Sequence, residues 1–176
     1  MMVTKIVGFQ SGHDVSYCIL ENGIPVLHEE LERISRKKME LGDGLKFFFS
    51  RSSEHHNVKY FTFGNFKGRG GRRQKICGEQ TSFERMNKIL AKNKGQFYEF
   101  GHHLSHAANA FYTSNFNRSL IVTVDGGGWE NDSLRTGFAI SEGVGNKINQ
   151  IKILPISEVN LGGIWHDSTK YVFGLS

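Results

Sequence analysis

Along the first third of the chain, apolar and polar positions follow a short period. Lys5 to Phe9 (KIVGF) reads as a short buried strand and Val15 to Glu21 (VSYCILE) as an alternating one, with the tight glycine turn QSGHD between them. Asn22-Gly23 is the strongest short-range hairpin signal in the chain, and Ile24 to His28 returns as the partner strand. The opening is therefore expected to be a three-stranded antiparallel meander. EELERISRKK follows, open to helix or ordered loop, and Gly42-Asp43-Gly44 breaks it. Val58 to Phe63 alternates like a further strand, and Lys67 to Lys75 is a basic loop. Phe83, Met86, Ile89 and Leu90 have helical spacing, with Ser82 as the expected cap.

Phe97 to Phe100 is short and aromatic, and GHHLSHAANAFYTS has good helix formers with no interior breaker. Leu120 to Val124 (LIVTV) is a continuous apolar run, expected of a strand buried on both faces, and Asp125 with three glycines is expected to end it. Thr136 to Ser141 and Ile148 to Leu154 read as two more strands with a turn over Gly143 to Asn146, and Leu161 to Phe173 as a final helix. A meander followed by helix–strand alternation predicts an α/β fold: a mixed sheet with helices on its faces.

Composition narrows the class. A chain of 176 residues suits one domain, and 38% hydrophobic with 22% charged residues is ordinary for a globular protein. Twenty-one glycines against 2 prolines point to tight turns rather than a Pro-rich tail. Cys18 and Cys77 form no CxxC pair, so a disulfide framework is not expected and a reducing cytoplasm is the expected location. MMVTKIVGF lacks the pattern of a signal peptide, and no apolar run approaches the roughly 18 residues of a membrane span.

The net charge of +5 is clustered: Arg33, Arg36, Lys37 and Lys38 crowd one stretch, and Arg69, Arg72, Arg73 and Lys75 another. The first reads foremost as a solvated face, with phosphate binding beside it. The second, near Phe63 and Phe66, could touch nucleic acid through phosphates and stacking, but it has no base-reading framework, so nucleic acid is not the expected partner.

Three candidate chemistries stand out. His102 and His106 lie four apart and would project from one helix face about 6 Å apart at the backbone, close enough for two imidazoles to converge on one metal ion. Imidazole suits Zn, Fe and related metals. A polar helix start with surface histidines is the plain alternative. Asp125, at the end of an apolar strand and opening into Gly126, Gly127 and Gly128, would complete a three-ligand site with open positions; an Asp capping a turn is the competing reading. Gly12-His13-Asp14 is a weaker signal, a glycine turn able to cradle phosphate or simply a hairpin turn. Trp129 and Trp165 are expected in the core or in pocket walls.

In this order, IVGFQSGHDVSYCILENG, ERISRKK, HHLSHAANAFYTSNF, LIVTVDGGG and NLGGIWHDSTKYVFGL resemble the N-terminal domain of the O-carbamoyltransferases of antibiotic and nodulation-factor modification. HHLxHAxxAFYxS and VTVDGxG are the specific motifs; the others support them. The resemblance implies an actin-like ATPase fold (ribonuclease H-like), here a half-domain, related to the tRNA threonylcarbamoyl-transfer protein. It implies His102, His106 and Asp125 as ligands of a divalent metal, Fe2+ ahead of Mn2+ or Zn2+, with a further acidic ligand from a later part of the domain. It implies carbamoyl phosphate and ATP as substrates, a carbamoyl-adenylate made in a separate C-terminal domain, and transfer to a hydroxyl of a small-molecule acceptor. His13 is then the candidate base. Lys38 would hold the phosphate with help from Arg36, and Gly12, Gly126, Gly127 and Gly128 would let ligand approach the backbone. Met39 stands where the family usually has His, and the three glycines stand where it often has Gly-x-Gly and an acidic residue. On this reading residues 1–176 are the first portion of the N-terminal domain, and a second polypeptide completing the enzyme is a possible partner. Two further readings remain open: the tRNA-modifying branch, and a non-catalytic binding module using the basic loop 67–75.

Overall fold

The computed structural model describes residues 4–52, 57–64, 80–131 and 133–175. His55-His56, the basic loop 67–75 and Cys77 lie outside them. The described residues up to Glu99 form one compact unit and those from Phe100 a second.

The first unit opens with β1 (Lys5–Gln10), β2 (Ser16–Glu21) and β3 (Ile24–Glu30), each antiparallel to the one before. Asn22 and Gly23 both have positive φ, 51° and 83°, the combination that a two-residue hairpin of matching twist needs. β4 (Val58–Phe63) then joins β1 in parallel, and β5 (Gln96–Glu99) joins β4 in parallel, giving the order β3-β2-β1-β4-β5. This is the α/β class anticipated, a mixed sheet with an antiparallel opening and flanking helices.

Alternation along these strands places Val7, Phe9, Tyr17, Ile19, Phe61 and Phe63 in one buried cluster. Helices pack against it. α1 (Leu31–Ser35) is short and ends at Arg36 in the left-handed region, so only half of EELERISRKK is helical. α2 (Gly44–Arg51) is a helix the sequence pattern did not suggest, because the glycines around Asp43 read as a breaker. Asp43 is instead its cap: the carboxylate accepts from the backbone N–H of Leu45 and Lys46, at 2.8 and 3.1 Å. Leu45, Phe47 and Phe48 then enter the core, where Phe48 meets Phe61 edge-on at 5.8 Å. α3 (Gln80–Asn93) buries Met86 and Leu90 as its spacing predicted, but Ser82 lies inside the helix and is buried rather than capping it.

The second unit holds α4 (His102–Tyr112), β6 (Arg118–Trp129), β7 (Arg135–Val144), β8 (Lys147–Pro155) and α5 (Leu161–Asp167), which runs into a π-helical turn over Ser168–Val172. β6, β7 and β8 form an antiparallel sheet in that order. Ala107 and Phe111 of α4 cover one face, packing with Ile121 and Ile148. The other face of β6 carries Leu120, Val122 and Val124, all exposed, so LIVTV is not buried on both faces.

Nor does the strand stop at Asp125. Pairing passes from Val124↔Phe138 to Gly128↔Thr136, so the residues between bulge out and β6 continues to Trp129. Gly127 makes this possible, with φ at 124°. Trp165 is exposed, contrary to its expected place in a core or pocket wall, while Trp129 is half-buried. Among the described residues, no helix is long and apolar enough to cross a membrane.

Candidate metal centre

His102 and His106 occupy the first turn and a half of α4, and Asp125 sits in the bulge of β6. The helix places the two imidazoles on one side, 4.6 Å apart between ring centres and nearly perpendicular. Their Nε2 atoms are 3.1 Å apart, and that of His106 is 3.4 Å from Asp125 Oδ2. His102 Nε2 bonds the same carboxylate oxygen. One ligand atom from each of the three residues thus lies within 4.8 Å of the other two. Ligand atoms bound about 2.0–2.2 Å from one ion fall about 3–3.5 Å apart, so spacings of this size suit a shared cation. Two imidazoles and a carboxylate are a donor set for Zn, Fe or Mn rather than an all-oxygen cage for Mg or Ca. His102 is mostly buried, whereas His106 is exposed, which leaves the group open on the His106 side.

Asp125 is held ionised. Burial raises its carboxyl, but the hydrogen bonds from His102 and the Gly126 N–H, with the charge of the two imidazoles, outweigh that and leave it below the usual carboxylate range. The bulge sets its direction, because Gly126 N–H donates back to Asp125 Oδ1 at 2.5 Å. Gly128 leaves room for the imidazole: a Cβ there would come within 2.0 Å of His102 Cγ and 2.5 Å of its Cβ. Beside Gly126, by contrast, a Cβ would meet nothing within 4 Å.

Behind these residues lies a second layer that sequence reasoning did not assign. His103 is 1% exposed, with Nδ1 2.7 Å from Thr123 Oγ1 and Nε2 3.2 Å from the Thr136 carbonyl. A carbonyl only accepts, so Nε2 carries the proton and Nδ1 accepts from the threonine hydroxyl. Burial pushes the His103 imidazole below the ordinary histidine range, against the opposing pull of the Thr136 bond and the Glu130 charge. Glu130 bonds the His103 backbone N–H through Oε1 and receives Gln150 Nε2 at 3.3 Å on Oε2. The usable signal was an acidic side chain directly after the strand that carries Asp125.

The remaining candidates are placed as follows. His13 is exposed in the first unit, its Nδ1 2.6 Å from Asp14 Oδ2, and Asp14 has φ of 57°. Gly12 has φ of 103° and exchanges backbone hydrogen bonds of 2.9 Å with Gly42, so its own N–H is already engaged. Arg36 caps α1 and is exposed. Lys38 Nζ lies 3.1 Å from both carboxylate oxygens of Glu32, and Arg33 pairs with Glu30, so this basic stretch is partly balanced by acids.

No family model matches the chain. It is 27% identical over 156 residues to the uncharacterized protein MJ1051 of Methanocaldococcus jannaschii, a match covering 88% of this chain and 27% of that protein. It is 38% identical over 71 residues to the nodulation protein NolNO of Sinorhizobium fredii, covering 40% of this chain and 10% of that protein. The chain therefore spans well under a third of either relative's length. Among solved structures it is similar to YeaZ from Pseudomonas aeruginosa, with a TM-score of 0.46 and 10% identity over 89% of this chain and 71% of that one. A second protein described as similar to peptidase YEAZ from Pseudomonas aeruginosa has a TM-score of 0.44 and 11% identity over 89% and 68%.

Proposed function

We propose that this chain is the metal-binding part of an O-carbamoyltransferase, acting on carbamoyl phosphate and ATP through a carbamoyl-adenylate and delivering the carbamoyl group to a hydroxyl of a small molecule. The observation that carries the reading is the convergence of His102, His106 and Asp125 from a helix and a strand bulge. A nodulation protein among the relatives agrees with the nodulation branch of the family whose motifs the chain resembles.

A divalent ion, Fe2+ ahead of Mn2+ or Zn2+, would be held by His102, His106 and Asp125, where it would neutralise phosphate charge and polarise the carbamoyl carbonyl. The ionised Asp125 suits that task, since ligands must be deprotonated at the atoms they offer. The open side of Gly126 lets a ligand come close to the backbone, and Gly127 and Gly128 keep the bulge in shape. His13 would take the proton from the acceptor hydroxyl, with Asp14 orienting its ring through Nδ1. Lys38 would leave Glu32 to hold phosphate as a point charge, with Arg36 assisting and Gly12 fixing the turn that presents His13. The adenylate itself would be formed outside residues 1–176.

Calorimetric titration with a non-hydrolysable carbamoyl-adenylate analogue tests the proposal. Binding should tighten at least tenfold when Fe(II) is supplied, weaken in Lys38→Ala, and lose its metal dependence in His102→Ala/His106→Ala. Absence of analogue binding by the metal-loaded chain would overturn it. Metal-dependent retention of tRNA in place of hydroxylated metabolites would move the assignment to the tRNA-modifying branch.

A further inference from the structure

We propose that Glu130 is the positioning residue of the metal group, and that Gly101 is glycine in order to admit it; this deepens the metal reading above and rests on it. α4 has no cap of its own, because its N-cap residue is Gly101, which has no side chain. The backbone N–H of His103, where a capping side chain would ordinarily bond, is taken by a carboxylate 27 residues further along the chain. That N–H belongs to the peptide that follows His102, so the bond fixes the plane from which the His102 side chain departs.

Glu130 comes directly after Trp129, the last residue of the strand that carries Asp125. One carboxylate thus ties the helix bearing two ligands to the strand bearing the third. It is held from both sides: Gln150 Nε2 donates to Oε2, and the Glu130 backbone N–H bonds the Leu134 carbonyl at 3.0 Å. Its negative charge also faces the positive end of the helix. Gly101 supplies the space. A Cβ there would come within 2.0 Å of Glu130 Oε2, 2.9 Å of Cδ and 3.1 Å of its carbonyl oxygen. An ordinary N-cap such as Ser or Asp would therefore displace the carboxylate, which accounts for a helix that begins at its two ligands with a glycine.

The test uses the full chain and Co(II), whose visible absorption reports ligand geometry. Glu130→Gln keeps an oxygen acceptor of the same reach and should take up Co(II) with the wild-type spectrum and a Kd within about threefold. Glu130→Ala and Gly101→Ala should bind about tenfold or more weakly, the size expected of a lost supporting partner, with an altered spectrum. Asp43→Ala, which removes a helix cap in the first unit, should melt at a lower temperature and keep the wild-type spectrum. Imidazole NMR of the metal-free chain gives an independent readout: the His102 ring signals should move in Glu130→Ala and stay in place in Glu130→Gln. Wild-type affinity and unmoved His102 signals in Glu130→Ala would overturn the proposal. A wild-type chain that takes up no Co(II) would instead overturn the metal reading, and the His102 signals would then decide the positioning role alone.

Discussion

Each unit builds a cluster around one carboxylate, and the two clusters differ in what they leave available. In the first unit Glu29 accepts from the hydroxyl of Tyr17 and from the guanidinium of Arg51, whose Nη2 is 3.1 Å from Oε1. In the second unit Asp125 accepts from His102, lies close to His106 and takes the Gly126 N–H. Both carboxyls are held below their usual range: Glu29 by its bond from Arg51 and then that from Tyr17, and Asp125 against the cost of its burial. The donors make the difference. Arginine does not give up its proton, and burial together with the bond to Glu29 raises the Tyr17 hydroxyl, so the Glu29 cluster is closed. Imidazoles exchange their protons near neutral pH and then offer lone pairs, so the Asp125 cluster can trade protons for a cation. Two acids of similar state thus differ in use because one is surrounded by permanent donors and the other by exchangeable ones.

The contrast can be broken most forcefully at Gly128. A methyl group there meets the root of the His102 ring, where no flexible end can give way. Gly128→Ala should cost about 1–3 kcal/mol of stability and lower metal affinity more than tenfold, read by thermal melts and metal titration. Gly126→Ala, facing open space, should leave both within error. An equal response of the two variants would show that the bulge does not aim His102.

The next effect, on stability alone, belongs to the closed cluster. Tyr17 is 1% exposed, and Tyr17→Phe removes a hydrogen bond to a charged acceptor. It should destabilise the chain by about 1–3 kcal/mol without changing metal affinity, because the residue belongs to the first unit's core. Urea melts with and without Zn(II) separate the two quantities.

The smallest expected effect is in acid. Because Glu29 has its folded pKa below the ordinary 4.5, its cluster contributes stability that is fully present above about pH 4.5 and is lost as pH falls through the folded value. Melting temperature followed from pH 6 to pH 3 should fall less steeply in Glu29→Gln than in the wild type. Identical slopes would show that Glu29 does not sense its partners.

How much of this was legible in the sequence follows from the range of the interactions. The meander was readable because Asn22-Gly23 and the alternating strands are local signals. The His102–His106 pair was readable from helical spacing, and Asp125 from its place beside a glycine run. α2 was missed because Gly-Asp-Gly marks a loop and a helix cap equally well, and only the contacts of Leu45, Phe47 and Phe48 decide between them. LIVTV misled because a continuous apolar run carries no period, so it does not tell a strand covered on one face from one covered on both. The bulge at Asp125 needs the register with β7, and Glu130 needs a contact 27 residues long; neither has a local signature.

Whether His102, His106 and Asp125 hold a metal ion is read directly by an anaerobic thermal-shift titration with Fe(II), Mn(II) and Zn(II). At one hundred times the dissociation constant the wild-type chain should gain about 2.7 kcal/mol and His102→Ala/His106→Ala none. An equal gain in both proteins, or no gain in the wild type, would contradict it.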